Sequence, residues 1–251
     1  MQRILMITVL ALLLAGCGRK GKLFPPEALR PAPVNDLQIA QKGERFQVSW
    51  SQPAHGEGGR PIKDLAGFHL FKREVLPPAE DCESCADAYK PLKIVDLAYL
   101  QDVRRVGGRL FLSDADVETG KTYQYKLLSF QKDGTPSRDS NKARRKKVPL
   151  PAPPRLKAVF SPTGVLLQWE GGVLPANSKV MGYNLYRLRA DALPPLVPVN
   201  AAPMPGSDYD DPRLERGVTY TYTVRTVAEM EGVKVESEPS NEAKGTLAEP
   251  D

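Results

Sequence analysis

The sequence predicts an all-β protein that folds as two similar β-sandwiches in tandem. The first observation is an internal repeat, in which "GERFQVSW" ending at Trp50 corresponds to "TGVLLQW" ending at Trp169. The second is composition, because 24 prolines and 20 glycines in 251 residues favour many turns and short strands. The third is periodicity, since alternate residues before each tryptophan are apolar, which is typical of a half-buried strand.

Three further pairs of stretches follow the tryptophans in the same order in both halves of the chain. They are "GFHLFKR" (67–73) with "GYNLYRLR" (182–189), "SDADVETGKTYQYKLLSF" (113–130) with "DDPRLERGVTYTYTVRTV" (210–227), and "SRDSNKA" (137–143) with "SEPSNEA" (237–243). Neither half has a convincing apolar stripe of helical period. Each half is therefore predicted to be a sandwich of short strands separated by turns.

The order of these landmarks resembles that of fibronectin type III domains, which have an immunoglobulin-like fold. Those domains carry a tryptophan in the second strand and Leu-x-x-Gly-x-x-Tyr before a late strand. Residues 214–220 match that pattern, and residues 117–123 match it with Val117 in place of leucine. The resemblance implies that Trp50 and Trp169 are structural core residues.

The same resemblance implies a structural role for Tyr123 and Tyr220. Each can turn its hydroxyl back to the chain upstream, in the arrangement called a tyrosine corner. On this basis the two fibronectin type III-like domains are expected at residues 32–148 and 149–248, and residues 249–251 form a tail. The proline-rich junction between them should limit the angle between the domains without fixing it.

The first domain is longer because of an insertion at residues 74–92, which contains Cys82 and Cys85. In an exported protein these thiols meet an oxidising compartment, so a local disulfide is the leading prediction and an intermolecular one the alternative. A redox dithiol is disfavoured because a reactive thiolate needs basic neighbours and those here are acidic. No metal site is expected, because zinc needs about four ligands and the chain has two histidines.

Residues 1–16 are predicted to be a signal peptide. Arg3 precedes an 11-residue apolar stretch. That stretch is shorter than the ~20 residues that a transmembrane helix needs, and it has the length of a secretory apolar region.

The four residues Leu14, Ala15, Gly16 and Cys17 resemble the lipobox of bacterial lipoproteins. The resemblance implies cleavage before Cys17, which then carries S-diacylglycerol and N-acyl chains as a membrane anchor; no cofactor is expected. Gly18 stands where an aspartate would suggest inner-membrane retention. The chain is therefore expected in the cell envelope, anchored to the outer membrane, with its periplasmic or surface face left open.

Residues 17–26, "CGRKGKLFPP", resemble the start of LptM-type lipoproteins, although Lys22 replaces the usual proline. The resemblance implies engagement of the outer-membrane translocon for lipopolysaccharide. The alternative is a basic spacer beside anionic head groups. The lipidated start and proline-rich tether are placed at residues 17–31, and residues 18–34 in extended form reach up to about 50 Å.

The chain is not expected to be an enzyme. The sequence contains no G-x-S-x-G, P-loop or HExxH motif, and the carboxylate pair Asp210 and Asp211 is interpreted as part of a turn.

Residues 56–60 are interpreted as a flexible loop. The cations at 144–147 are interpreted as a solvated strand end, with contact to an anionic surface as the alternative. The net charge of +5 is a weak argument for any partner, and nucleic acid is not expected after export.

The leading functional prediction is a binding or scaffolding module for an envelope protein or glycan. The alternative is an envelope assembly factor that acts on the lipopolysaccharide translocon through its N-terminus, and a third class is an accessory to a carbohydrate-active enzyme.

Phe71 and Tyr186 occupy equivalent places in the two repeats, out of phase with the core residues of their strands. They are the first candidates for an outer contact face, but packing under neighbouring Lys and Arg side chains is the favoured interpretation.

Overall fold

A computed structural model describes residues 25–161, 163–212 and 214–247. The predicted signal peptide, the lipobox residues Leu14, Ala15 and Gly16, and Cys17 lie outside the described residues, so these predictions stay predictions. In the part of the chain that is described, no helix is long and apolar enough to cross a membrane.

The described residues form fifteen strands and one short 3₁₀ helix, Pro26–Leu29. The strands of the first half are β1 (Gln38–Lys42), β2 (Arg45–Ser51), β3 (Leu65–Val75), β4 (Lys90–Asp96), β5 (Val103–Val106), β6 (Arg109–Asp114), β7 (Thr122–Gln131) and β8 (Ala143–Lys146). Those of the second half are β9 (Arg155–Ser161), β10 (Gly164–Glu170), β11 (Ser178–Arg189), β12 (Asp208–Asp211), β13 (Thr219–Met230), β14 (Val233–Glu236) and β15 (Ala243–Thr246).

Each half is a β-sandwich, which confirms the predicted all-β fold. In the first, the antiparallel sheet β4-β3-β7-β8 faces the strands β1-β2-β6-β5 across a core that contains Trp50, Phe68 and Leu127. In the second, the sheet β12-β10-β9 faces β11, β13 and β15 across a core that contains Trp169 and Val224. The alternation of buried and exposed residues along β2 and β10 is what the apolar period of two predicted.

The two sandwiches share one continuous sheet. Strand β14 extends from the second sandwich and pairs in parallel with β1 of the first, with Gln41 opposite Val235 and Lys42 opposite Glu236. An additional small core that includes Val148 fills the junction. The proline-rich composition of the junction predicted a restricted angle, and the shared ladder is the contact that restricts it.

The chain between the two sandwiches is itself hydrogen-bonded to β1. The Gln41 side chain is buried; its Nε2 donates to the Val148 carbonyl at 2.8 Å, and its Oε1 accepts from the Val148 amide at 3.0 Å. Arg145 donates to the carbonyls of Ile39 and Lys234, and Lys146 forms an ion pair with Glu231. The basic cluster at 144–147 therefore links the two sandwiches more than it serves as a solvated strand end.

Cys82 and Cys85 form the predicted local disulfide. The insertion that contains it is held to the sheet by Arg73, whose guanidinium donates to both carboxylate oxygens of Asp81 at 2.7 and 3.0 Å. Arg73 also donates to Gln124 at 3.1 Å. The insertion therefore packs beside β3 and β7, and the disulfide closes only a small loop within it.

Candidate binding site at the junction of the two sandwiches

The four predicted core residues, Trp50, Tyr123, Trp169 and Tyr220, are all buried. The backbone N–H of Glu118 donates to the Tyr123 hydroxyl at 3.0 Å. In the second sandwich the N–H of Glu215 donates to the Tyr220 hydroxyl at 3.3 Å. The tyrosine corners that the sequence predicted are confirmed, and these side chains stabilise the fold.

The interpretation of Asp211 as a turn residue is wrong. Asp211 lies in β12 and is 1% exposed. Its Oδ2 accepts hydrogen bonds from the Tyr222 hydroxyl at 2.9 Å and from Arg187 Nη1 at 2.7 Å. Turn formation explains polar residues at a surface, whereas this carboxylate is neutralised inside the sandwich.

The first sandwich contains the same buried arrangement. Asp114 Oδ2 accepts from the Tyr125 hydroxyl at 2.6 Å and lies 2.9 Å from Lys72 Nζ. Sequence reasoning missed both triads, although the repeat contained the signal: a cation, an aspartate and a tyrosine at matching places in the two halves. In each triad the aspartate is paired with a cation and with a tyrosine hydroxyl, so the buried charges neutralise each other inside the sandwich.

The predicted outer contact residues have different surroundings. Phe71 is half-buried, with Lys126 Nζ 5.8 Å from its ring centroid. Tyr186 is only 6% exposed; its hydroxyl donates to Glu236 Oε2 at 2.6 Å and accepts from Lys42 Nζ at 3.0 Å. Tyr186 is therefore not an exposed contact. Lys42 and Arg225 pack over its ring, as the favoured interpretation of packing under Lys and Arg side chains predicted.

Tyr186 lies at one side of a groove of about 390 Å³ between the two sandwiches, the junction groove. One wall is the outer face of the first sandwich, with Gln47 on β2 and Phe111 on β6. The other wall consists of β11, β13 and the loop at 194–196. The Leu196 carbonyl of that loop accepts hydrogen bonds from Lys42 Nζ at 2.8 Å and Gln47 Nε2 at 3.4 Å.

The lining of the junction groove is apolar inside and mainly cationic at the rim. The apolar residues whose side chains lie outside the sandwich cores are Phe111, Leu188, Pro194, Pro195, Leu196 and Pro239. The charged residues are Lys42, Arg45, Arg104, Arg225, Asp102 and Glu242. Phe111 was the one signal in the sequence for this groove, because it alternates out of phase with the inward Leu110 and Leu112.

Two of the rim cations are available to a ligand. Among the described residues, no carboxylate lies within ion-pair distance of Arg45 or Arg104, and Arg104 donates instead to the Pro194 carbonyl. Lys42 is more enclosed: burial lowers the pKa of its ammonium group, and Glu236 at 3.9 Å opposes that change. The rim therefore favours a negatively charged group above an apolar floor.

The junction groove also borders an open sheet edge. Strand β5 is the last strand of the shared sheet, and no other described strand pairs with its outer edge. Arg104 and Phe111 are partners across β5 and β6 and lie on the same face, so an extended segment added there would place every second side chain on that face, beside Arg104. The arrangement suits an extended peptide whose acidic side chains lie on the face of Arg104 and whose alternating apolar side chains lie on the other face.

A second cavity, of about 630 Å³, lies beside the disulfide. Its main cations are already paired, Lys72 with Asp114 at 2.9 Å and Arg73 with Asp81 at 2.7 Å. Among the described residues there is no group of three or more His, Cys, Asp or Glu side chains that could hold a metal ion. The junction groove is the stronger candidate site, because it combines apolar area with cations that lack carboxylate partners.

Three buried tyrosines are expected to make the protein sensitive to alkaline pH. Burial first, and then a neighbouring carboxylate, raise the pKa values of Tyr125, Tyr186 and Tyr222 well above the ordinary 10.0. The folded state thus keeps these protons when the unfolded state loses them, so the stabilisation is complete below pH ~10 and falls as the pH rises above it. We expect tyrosinate absorbance from these residues to appear only together with loss of the circular dichroism signal. Ionisation of all the tyrosines before any unfolding would contradict this. Tyr186→Phe should make the stability fall less steeply as the pH rises above ~10, because one of the three shifted groups is removed.

No protein-family model matches the chain, and no curated protein matches it. Among solved structures, the chain is similar to the crystal structure of the chicken CNTN1 FN1–FN3 domains, with 14% sequence identity and a TM-score of 0.32. The match covers 87% of this chain and 67% of that chain. A likeness this distant carries no argument about function, and the fibronectin type III-like description rests on the strand order of each sandwich.

Proposed function

We propose that this chain is a lipid-anchored binding module of the bacterial cell envelope, with Cys17 as the point of attachment. The proposal of an anchor is supported by the resemblance of residues 14–17 to a lipobox. The proposal of binding is supported by the two immunoglobulin-like sandwiches, which present a groove without a reactive constellation among the described residues. The proposed location is the outer membrane.

The single observation that carries the binding role is the junction groove. Both of its walls are fixed relative to each other, because β1 and β14 pair across the junction. A rigid groove loses little conformational entropy when it binds an extended partner. The class of partner that fits the junction groove best is a protein segment with carboxylates beside apolar side chains. A glycan is the alternative class of partner.

The binding role is tested with the rim cations. The double variant R45E/R104E reverses the two unpaired charges, and R155E/K157E makes the same charge change on β9, in the sheet away from the groove. The probes are fluorescent peptides that alternate glutamate with valine or lysine with valine. We expect saturable binding of the glutamate peptide, loss of about tenfold or more in R45E/R104E, and no change in R155E/K157E. Equal binding of the two peptides, or equal loss in both variants, would overturn the site.

The anchor has its own test. Palmitate incorporation in cells should label the wild-type chain and not Cys17→Ser. Absence of a label that depends on Cys17 would remove the proposed location without affecting the groove.

A second function, assembly of the lipopolysaccharide translocon, is favoured only by the resemblance of residues 17–26 to LptM-type lipoproteins. Photo-crosslinkers placed at residues 18–26 and at Arg104 separate the two functions. Translocon subunits captured from 18–26 would support the assembly role. Crosslinks from Arg104 alone would support binding through the junction groove.

A further inference from the structure

The chain that leads from the predicted anchor is already part of the fold before residue 32. The N–H of Gly58 donates to the Ala28 carbonyl at 3.1 Å, and the N–H of Glu57 donates to the Arg30 carbonyl at 3.0 Å. A Cβ on Gly56 would lie 2.8 Å from the Arg30 carbonyl oxygen, so this close approach requires glycine. The loop at 56–60, which the sequence suggested was flexible, therefore holds the start of the chain against the first sandwich.

This docking shortens the tether. Cys17 and Pro25, the first described residue, are separated by eight Cα–Cα steps, which span at most about 29 Å. Composition alone allowed about 50 Å, because it counted residues up to 34 as spacer. A chain attached to lipid at Cys17 would therefore keep this end of the first sandwich near the membrane surface.

The end of the first sandwich that receives the tether is formed by residues 25–31, 52–64, 105–109 and 131–138, the N-terminal pole. Arg138 Nε donates to Glu57 Oε1 at 2.8 Å, the Lys132 amide to the Asp64 carbonyl at 2.9 Å, and the Gln52 amide to the Gly108 carbonyl at 3.4 Å. These contacts join the four segments into one surface.

The chemistry of the N-terminal pole fits an anionic lipid surface. Its segments contain seven Lys or Arg residues and four Asp or Glu residues, and residues 18–24 add three cations and no carboxylate. Leu29 is 54% exposed on this pole, beside the point where the tether arrives. An exposed leucine among cations is the combination that binds at a head-group interface.

The second sandwich is attached at the other end of the first. Strand β1 begins near the N-terminal pole, because Gln38 pairs with Ser49 close to the end of β2 that enters residues 52–64. Its last residues, Gln41 and Lys42, pair with β14. The shared sheet therefore leads away from the pole.

We propose that the N-terminal pole lies on an anionic lipid surface and that the second sandwich points away from it. This orientation rests on the proposed anchor at Cys17. It leaves the junction groove at the side of the molecule, where a partner can reach it without displacing lipid.

The orientation is tested with the mature chain, residues 17–251, coupled through the Cys17 thiol to a maleimide lipid in phosphatidylglycerol–phosphatidylcholine vesicles. Hydrogen exchange is compared with the same chain capped at Cys17 and free in solution. We expect slower exchange at 55–60, 105–109 and 132–136, and no change at the second-sandwich turns around 163 and 217. Protection of those turns instead, or of neither end, would overturn the orientation.

Matched variants test the charge contribution. R30E/K63E/K132E reverses three cations of the N-terminal pole, whereas R155E/K157E/K244E reverses three on the second sandwich. The first should abolish the protection and the second should preserve it, and the reverse result would contradict the proposal. The chain is coupled to the vesicle chemically, so this result does not depend on palmitate labelling in cells. An experiment that contradicts the proposed orientation is therefore distinguishable from one that contradicts the proposed anchor.

Discussion

Replacing Asp114 with alanine is expected to destabilise the first sandwich by about 3–5 kcal/mol. The substitution removes the carboxylate 2.9 Å from Lys72 Nζ, and the Lys72 side chain is only 10% exposed. The ammonium group keeps as partners only the exposed Asp116 carboxylate at 3.6 Å and the Asp116 carbonyl. The Tyr125 hydroxyl loses its acceptor in the same step. A buried charge that loses its closest counter-ion costs more than the net stabilisation of the pair that was broken.

The equivalent substitution Asp211→Ala is expected to cost less. The Arg187 side chain is 29% exposed, so its guanidinium can recover hydration that Lys72 cannot. The chain has two tryptophans, one in each sandwich core. Urea unfolding followed in Trp50→Phe and Trp169→Phe backgrounds therefore reports on each sandwich separately.

The apolar triple variant D114L/K72M/Y125F is the control, because it removes all three polar partners together. It should recover much of the stability that D114A loses. A D114A protein within about 0.5 kcal/mol of wild type would show that the triad is not a buried ionic unit.

Replacing Gln41 with alanine is expected to weaken the junction by about 2–4 kcal/mol, because it leaves the buried N–H and C=O of Val148 without partners. The two sandwiches should then unfold in separate transitions and occupy a wider range of relative angles. Calorimetry and small-angle scattering measure the two effects.

Gln38→Ala is the matched control, since Gln38 is an exposed glutamine on the same strand. It should leave both the transition and the scattering profile unchanged. A Q41A protein with a single wild-type transition would mean that the β1–β14 ladder and the junction core hold the sandwiches without this side chain.

The apolar periodicity and the repeat were sufficient to predict the core of each sandwich. The repeat and the period of two indicated which residues face inward, and Trp50 and Trp169 are buried as predicted. Close spacing also indicated the Cys82–Cys85 disulfide, because two thiols in one short loop can meet without help from the rest of the fold.

The outward faces were less predictable. Tyr186 has the outward phase that the pattern predicted, yet it is covered by Lys42, which is 144 positions away in the sequence. Asp211 looks like a turn residue by type, and only the approach of Arg187 and Tyr222 shows that it is buried.

The sequence by itself determined the all-β class, the two repeats, their cores and the local disulfide, because each depends on periodicity or on residues close in the chain. The tertiary structure decided the shared sheet, the junction groove, the buried triads and the docking of residues 28–30 on the loop at 56–60. Those features depend on which surface packs against another, and the apolar period of a strand describes one face of that strand without identifying the neighbour that covers the other.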